Sequence, residues 1–151
     1  MAQLDIRTIG DPVLRSKAKK INEINNKTKE FIENMVDTMY ENNGIGLAAP
    51  QVGVLQRIVV IDIGEGKIIK IINPEILKRS NDKNIREEGC LSVPGKTGPV
   101  LRATEVIVKG LDVEGEEVTY NAKGLLARAF QHEIDHLQGK LFVDKIIDID
   151  E

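Results

Sequence analysis

GLLARAFQHEIDHLQGKLF, residues Gly124 to Phe142, sets the architecture of the chain. Its spacing predicts a helix from about Lys123 to Gln138, with Gly139 as the stop signal. On that helix Leu126, Phe130, Ile134 and Leu137 form one apolar stripe, while Leu125, Ala129, His132 and His136 form a second on nearly the opposite side. Both sides must be covered, so the helix belongs in the middle of a domain, with sheet on one flank and a cleft on the other. The second stripe carries the only two histidines of the chain. At 3.6 residues per turn His132 and His136 stand one turn apart on one face, so two imidazole nitrogens can reach one ion with Glu133 close to a water on that ion. The chemistry this pattern implies is hydrolysis.

Upstream of the helix the pattern is mostly β. Residues Asn26 to Glu41 are the exception: Phe31, Ile32, Met35, Val36, Met39 and Tyr40 recur at helical spacing, Asn26 or Thr28 can cap the start, and Gly44 lies beyond the end. Two β-rich runs follow, Arg57–Ile63 and Lys67–Ile72, joined by Gly64-Glu65-Gly66 as a hairpin. A second pair, Ala103–Val113 and Glu116–Asn121, turns at Glu114-Gly115. Between the pairs, Asn81 to Pro99 is rich in Gly, Pro and charge and reads as irregular chain. No repeat, linker or low-complexity tract divides the sequence, and 151 residues suit one domain, 1–151, able to bury a core without disulfides or a structural metal. A metal therefore reads as serving function.

Composition excludes several classes. Hydrophobic residues at 41% and charged residues at 30% are ordinary for a globular protein, and no apolar run of 18 residues is present to span a bilayer. A net charge of −3 with 3% aromatic residues leaves neither the basic excess nor the stacking rings of a nucleic-acid surface. The first residues, MAQLDIRTIGDPVLR, lack the apolar core of a signal peptide and the Arg/Ser-rich look of a transit peptide, so the expected compartment is the cytoplasm. The single cysteine, Cys90, fits a reducing compartment and reads either as a small buried hydrophobe or as an available thiolate.

A hydrolytic metal site has three protein ligands and an open position, so two histidines leave one ligand to find. Proteases with HExxH take it from downstream. Only Asp144, Asp148, Asp150 and Glu151 offer it there, and the longer HExxHxxGxxH pattern fails because position 142 is phenylalanine. Upstream, Glu88-Gly89-Cys90-Leu91-Ser92 places the cysteine in a glycine-bearing segment, and Cys90 with His132 and His136 makes a Cys-His₂ set. A second segment, Gly44–Gly53, combines small residues with Gln51. Read alone it is a tight helix-to-strand connection; beside a hydrolytic metal, the Gln51 amide becomes a donor for a developing oxyanion.

Together the segments GIGLAAPQ (Gly44–Gln51), EGCLS (Glu88–Ser92) and HEIDH (His132–His136) resemble the motifs of the peptide deformylase family, in the family's order. The likeness extends to GDPVLR at Gly10–Arg15, to SVPG at Ser92–Gly95 and to Gly124–Phe142, nearly the whole chain. The resemblance implies an α+β fold with antiparallel β-sheets surrounding a central HExxH helix, alongside the N-terminal amphipathic helix. It implies removal of the N-formyl group from the N-terminal formyl-methionine of newly synthesised proteins, giving formate. By it Cys90, His132 and His136 are the metal ligands and Glu133 is the general acid/base. Gln51 and the backbone N–H of Leu91 stabilise the oxyanion, and Gly46 and Gly89 let the peptide backbone pair like an added strand. Ile45, Leu125 and Ala129 belong to the pocket for the methionine side chain.

The same resemblance implies one divalent ion per chain, Fe(II) as the physiological metal, with Zn, Ni or Co possible in purified samples. Its partners are N-formyl-methionyl nascent polypeptides, with transient ribosome association, no direct nucleic-acid binding and no membrane. A metallopeptidase, or an inactive metal- or peptide-binding relative, is the alternative. Departures from the family pattern are Lys96 and Thr97 after SVPG, where many members carry aromatic or arginine residues, and an end soon after Phe142 where many relatives continue into a long helix, so a compact form is expected. Arg128, one turn before His132, is expected to pack its stem at the pocket rim and keep its charge in water. Glu88 is a candidate to hold Arg102 or a group beside the metal, and Asp135 reads as a polar helix residue.

Overall fold

The computed structural model describes residues 4–147. A helix α1 (Asn26–Glu41) is followed by strands β1 (Gly46–Ala48), β2 (Ile58–Ile61), β3 (Ile69–Arg79), β4 (Lys83–Cys90), β5 (Val93–Ala103), β6 (Glu105–Leu111) and β7 (Glu117–Lys123), and then by helix α2 (Gly124–Leu137). The strands form an antiparallel five-stranded sheet in the order β1-β2-β3-β6-β7 and a separate antiparallel pair β4-β5. The α+β class with antiparallel sheets around the histidine-bearing helix is as expected.

Burial shows why α2 lies in the centre. Ala127, Phe130, Ile134 and Leu137 pack with Val59, Ile61, Ile71, Val106 and Val108 on one face of the large sheet. The opposite face, through Ile58, Val60 and Ile72, packs on Ile32, Met35, Val36 and Met39 of α1. Strand β2 is thus buried on both faces, which is why it reads as the unbroken apolar run IVVI rather than alternating. Burying an aliphatic side chain of this size contributes about 2 kcal/mol, so the two clusters supply most of the drive to fold. α1 is capped by Asn25, ahead of the expected Asn26 or Thr28; the Asn25 side chain accepts from Thr28 N at 3.0 Å while Asn25 N donates to Thr28 Oγ1. α2 stops at Gly139, whose φ of +76° and contact with the Arg15 carbonyl leave no room for a side chain.

One expectation is overturned. Asn81–Pro99 is not irregular: most of it is the β4-β5 hairpin, with Glu87 opposite Pro99 and Glu88 opposite Gly98. In a two-stranded sheet each strand is an edge, so Pro and Gly are tolerated where a central strand would reject them. Strand β3 also runs beyond Ile72 to Arg79, through a register shift between Ile72 and Glu75. There Asn73, at φ +53°, ties both its side-chain groups to the Ile21 backbone. The chain crosses from the hairpin to the large sheet at Thr104, between β5 and β6.

Candidate active site

Helix α2 and strand β4 bring the sequence motifs together. The ligand atoms of Cys90, His132 and His136 lie within 4.8 Å of one another, with Cys90 Sγ 3.4 Å from His136 Nε2. Tetrahedral N and S donors at their usual bond lengths stand about 3.5 Å apart, so these three residues fit one small divalent cation and leave a fourth side open. His136 is buried, His132 nearly so, and Cys90 is half-buried. Asp144, the downstream alternative, instead pairs with Arg15 and accepts from Leu141 N. Asp148, Asp150 and Glu151 lie outside the described residues.

The outward nitrogens are treated differently. His132 Nδ1 stands 2.9 Å from Glu88 Oε1, and because that carboxylate only accepts, Nδ1 must carry a proton, which leaves Nε2 as the nitrogen that can give up its own proton to an ion. The His132 ring also stacks on Phe142 at 6.0 Å. Burial alone would raise the Glu88 pKa, but hydrogen bonds from His132 and Arg102 and the Arg102 charge hold it well below the usual carboxylate range. Burial also works against a charged His132, yet the nearby Glu133 carboxylate and the hydrogen bonds with Cys90 and Glu88 outweigh it and push its pKa up to about 10. A place that draws a proton so strongly also draws a cation. His136, buried and facing the His132 and Arg102 charges, is pushed well below its ordinary value and is neutral, as a ligand must be.

Glu88 anchors a larger buried charge cluster. Arg102 donates from Nε and Nη2 to its two carboxylate oxygens, each at 2.9 Å, and from Nη1 to Asp135 Oδ2 at 2.6 Å. Arg128 donates to the same carboxylate and, at 2.9–3.0 Å, to the carbonyls of Val100 and Asn84 and the Asn84 side chain. The expectation that the Arg128 charge sits in water is therefore wrong; the residue is 7% exposed. Its position one turn before His132 aims it at the hairpin, where Glu88 and two strand-edge carbonyls outcompete solvent. Of the two alternatives expected for Glu88, Arg102 or a group beside the metal site, the structure has both: the carboxylate holds Arg102 and His132. Asp135 is no ligand, but it is buried and holds Arg102 rather than solvent.

Glu133 is buried, its Oε1 has no hydrogen-bond partner among the described residues, and burial pushes its pKa up to about 7. Gln51 lies in a tight turn (Ala49–Val52) after β1, its Oε1 accepting from Ala48 N at 2.9 Å and its Nε2 3.1 Å from Ser92 Oγ and 3.4 Å from Cys90 Sγ. The Ser92 contact was not anticipated, because nothing in the sequence links positions 51 and 92 except their shared motifs. A cleft of about 640 Å³ opens beside these groups, walled by Gly44–Gly46 and Gln51 on one side and Glu88–Leu91 on the other. Ile45, Leu125, Ala129 and Arg128 line it, as do Lys96 and Thr97 at its mouth. Ile45 and Leu125 are 44% and 51% exposed, large apolar side chains left uncovered at the edge of the cleft. Gly46 has a second reason to be glycine: a Cβ there would stand 2.6 Å from Glu133 Oε2.

Comparison with known proteins agrees with this geometry. The sequence profile described as Polypeptide deformylase matches residues 3–151. A peptide deformylase of Halothermothrix orenii is 62% identical over the whole chain and 98% of its own length, and one of Carboxydothermus hydrogenoformans is 58% identical over 96% of this chain and 94% of its own. The crystal structure of peptide deformylase from Thermotoga maritima superposes with a TM-score of 0.95 at 44% identity, covering 98% of this chain and all of that one. A peptide deformylase of Synechococcus elongatus, solved in complex with actinonin, gives 0.93 at 44% identity, covering 97% of this chain and 80% of that one. The chain is an enzyme of the peptide deformylase family.

Proposed function

We propose that residues 1–151 form one catalytic domain that removes the N-formyl group from the terminal formyl-methionine of nascent polypeptides, with Cys90, His132 and His136 holding one divalent ion. The observation that carries this reading is the convergence of that Cys-His₂ set with Glu133 and Gln51 at one end of a single cleft. A bound divalent cation supplies Lewis-acid polarisation and lowers the pKa of water toward neutrality. Glu133 takes the proton from the attacking water and returns it to the leaving nitrogen; a carboxyl whose pKa burial has raised to about 7 is matched to both tasks. The Gln51 amide and the Leu91 backbone N–H donate to the oxygen that gains charge, each contributing roughly 3 kcal/mol to lowering the barrier.

Substrate binding follows from the strand edges. β1 is the last strand of the large sheet and β4 belongs to a two-stranded one, so among the described residues each has an edge without a strand partner. A peptide entering between Gly46 and Gly89 pairs as an added strand. Its methionine side chain then rests on Ile45, Leu125 and Ala129, with the Arg128 stem as a further wall whose charge Glu88 neutralises. Donor chemistry suits Fe(II), Zn, Ni and Co alike; Fe(II) is the proposed working ion. No helix of the described residues is long and apolar enough to cross a membrane. The proposed setting is the cytoplasm, with transient association with ribosomes.

Anaerobic assay of formate release from formyl-methionyl peptides, with each metal supplied separately and non-formylated peptides as controls, tests the reading. Release that depends on metal and formyl group, and that Glu133→Gln abolishes, is the expected result. Cleavage of internal peptide bonds in the non-formylated controls would favour a peptidase instead.

A further inference from the structure

The Gln51 amide is held at both ends. Its Oε1 accepts from Ala48 N at 2.9 Å, which fixes which end of the amide is oxygen. Its Nε2 carries two hydrogens and has two partners, Ser92 Oγ at 3.1 Å and Cys90 Sγ at 3.4 Å. Ser92 is fully buried and sits in the turn that joins β4 to β5, immediately beyond the cleft-lining Leu91. The N-terminal segment joins the same two places: Arg7 N donates to Gln51 O at 2.7 Å and Ile9 N donates to Ser92 O at 2.8 Å. Backbone and side chain therefore fasten the Gln51 turn to the Ser92 turn independently of any ion.

We propose that Ser92 is the positioning residue for Gln51: its buried hydroxyl engages one amide hydrogen and so aims the other at the metal side of the cleft. The terminal torsion of a glutamine is broad and roughly two-fold, so an amide anchored at oxygen alone can swing its N–H groups away from the reacting carbon. With one hydrogen bound to Ser92 Oγ, the other is held pointing to the Cys90 side of the cleft, where a substrate oxygen that gains charge can accept it without any movement of the amide. The Cys90 Sγ contact is the resting partner of that second hydrogen. The inference rests on the proposed oxyanion role of Gln51 and adds how that role is kept in register.

A double-mutant cycle tests it, using the metal-loaded full chain and formate release. Ser92→Ala is expected to lower kcat about tenfold with KM changed less than twofold and with metal content and melting temperature held. In the Gln51→Ala background the same substitution is expected to change kcat less than twofold, because the group it positions is gone. Ser92→Thr, which keeps the hydroxyl, is expected to recover at least part of the lost kcat wherever it retains full metal content. An equal loss in both backgrounds, a wild-type kcat for Ser92→Ala, or loss explained by missing metal would each overturn the proposal. A wild-type kcat for Gln51→Ala would remove the oxyanion reading itself, and the Ser92 proposal with it, whereas a large effect of Gln51→Ala with none of Ser92→Ala defeats the positioning role alone.

Discussion

Glu88 Oε1 lies 2.9 Å from His132 Nδ1, so a carboxylate outside the proposed ligand set fixes which nitrogen of His132 is left for an ion. Such outer contacts orient the ring and raise its basicity, and their loss typically weakens metal binding 10- to 100-fold. Glu88→Gln keeps the shape of the side chain and removes the charge that two arginines share. The expected result is a folded protein whose metal dissociation constant rises by about that factor, measured by competition with a chelator. A dissociation constant equal to that of the unaltered chain would count against the carboxylate–imidazole arrangement as a determinant of affinity.

Arg128 joins α2, which carries both histidines, to the hairpin that carries Cys90, through Glu88 and the backbone of Val100 and Asn84. Arg128→Met retains most of the stem but takes a donor from the carbonyls of Val100 and Asn84, from the Asn84 side-chain oxygen and from the Glu88 carboxylate. Breaking a buried ion pair from one side costs about 3–5 kcal/mol. Urea unfolding should show a destabilisation of that order, with Arg128→Lys intermediate because a single ammonium cannot reach all the acceptors. A change below about 0.5 kcal/mol, the usual effect at an exposed site, would contradict the buried pairing.

Arg128 also marks where reading the sequence stops working. His132 and His136 declare themselves because helical spacing is a short-range property, and the two stripes of α2 force it into the centre for the same reason. Cys90 and Gln51 were reached by asking what the chemistry lacked. By contrast the partners of Arg128 are 28, 40 and 44 residues away in sequence, and no local rule tells a guanidinium that crosses to Glu88 from one that reaches water. The β4-β5 hairpin was missed on similar grounds: Gly and Pro signal loops on average, and only the two-stranded topology makes them tolerable in strands. Ser92 stayed unnoticed because a buried serine facing an amide has no periodicity at all.

Gly46 and Glu133 are in contact across the site, with no space for a methyl group between the strand and the carboxylate. Gly46→Ala must push Glu133 Oε2 aside, and Glu133 is itself buried with little freedom to move. Because misplacing a reacting group by about 1 Å can cost 100-fold in rate, kcat for formate release should fall about that much. Metal content should stay unchanged, since Glu133 is not among the three proposed ligands. A variant with normal turnover would mean that the observed position of Glu133 is not the one chemistry needs.

The buried charges give the metal-free protein a distinctive dependence on pH. His132 in the folded chain, at about 10, binds its proton more tightly than an unfolded histidine does at about 6.5, so that contribution is complete below pH 6.5 and is lost as pH rises toward 10. Glu133, raised by burial to about 7, adds the same sign between about 4.5 and 7, because the folded form holds the extra proton. His136, buried neutral, works oppositely: unfolded chains take up its proton below about pH 6.5, so its contribution to stability falls on acidification. Glu88, held low by His132 and Arg102, likewise stabilises the fold above the ordinary carboxylate pKa and loses that effect in acid. The melting temperature of the chelated protein should therefore be highest near pH 6 to 7 and decline from there to pH 10, by at most about 1.4 kcal/mol of stability per pH unit for one proton. With nickel bound, the cation takes the place of the His132 proton, and its stabilising effect grows as competing protons are removed. Melting curves at pH 6 to 10, with chelator and with nickel, should thus diverge steadily as pH rises; parallel curves would show that the His132 proton and the metal do not compete for one site.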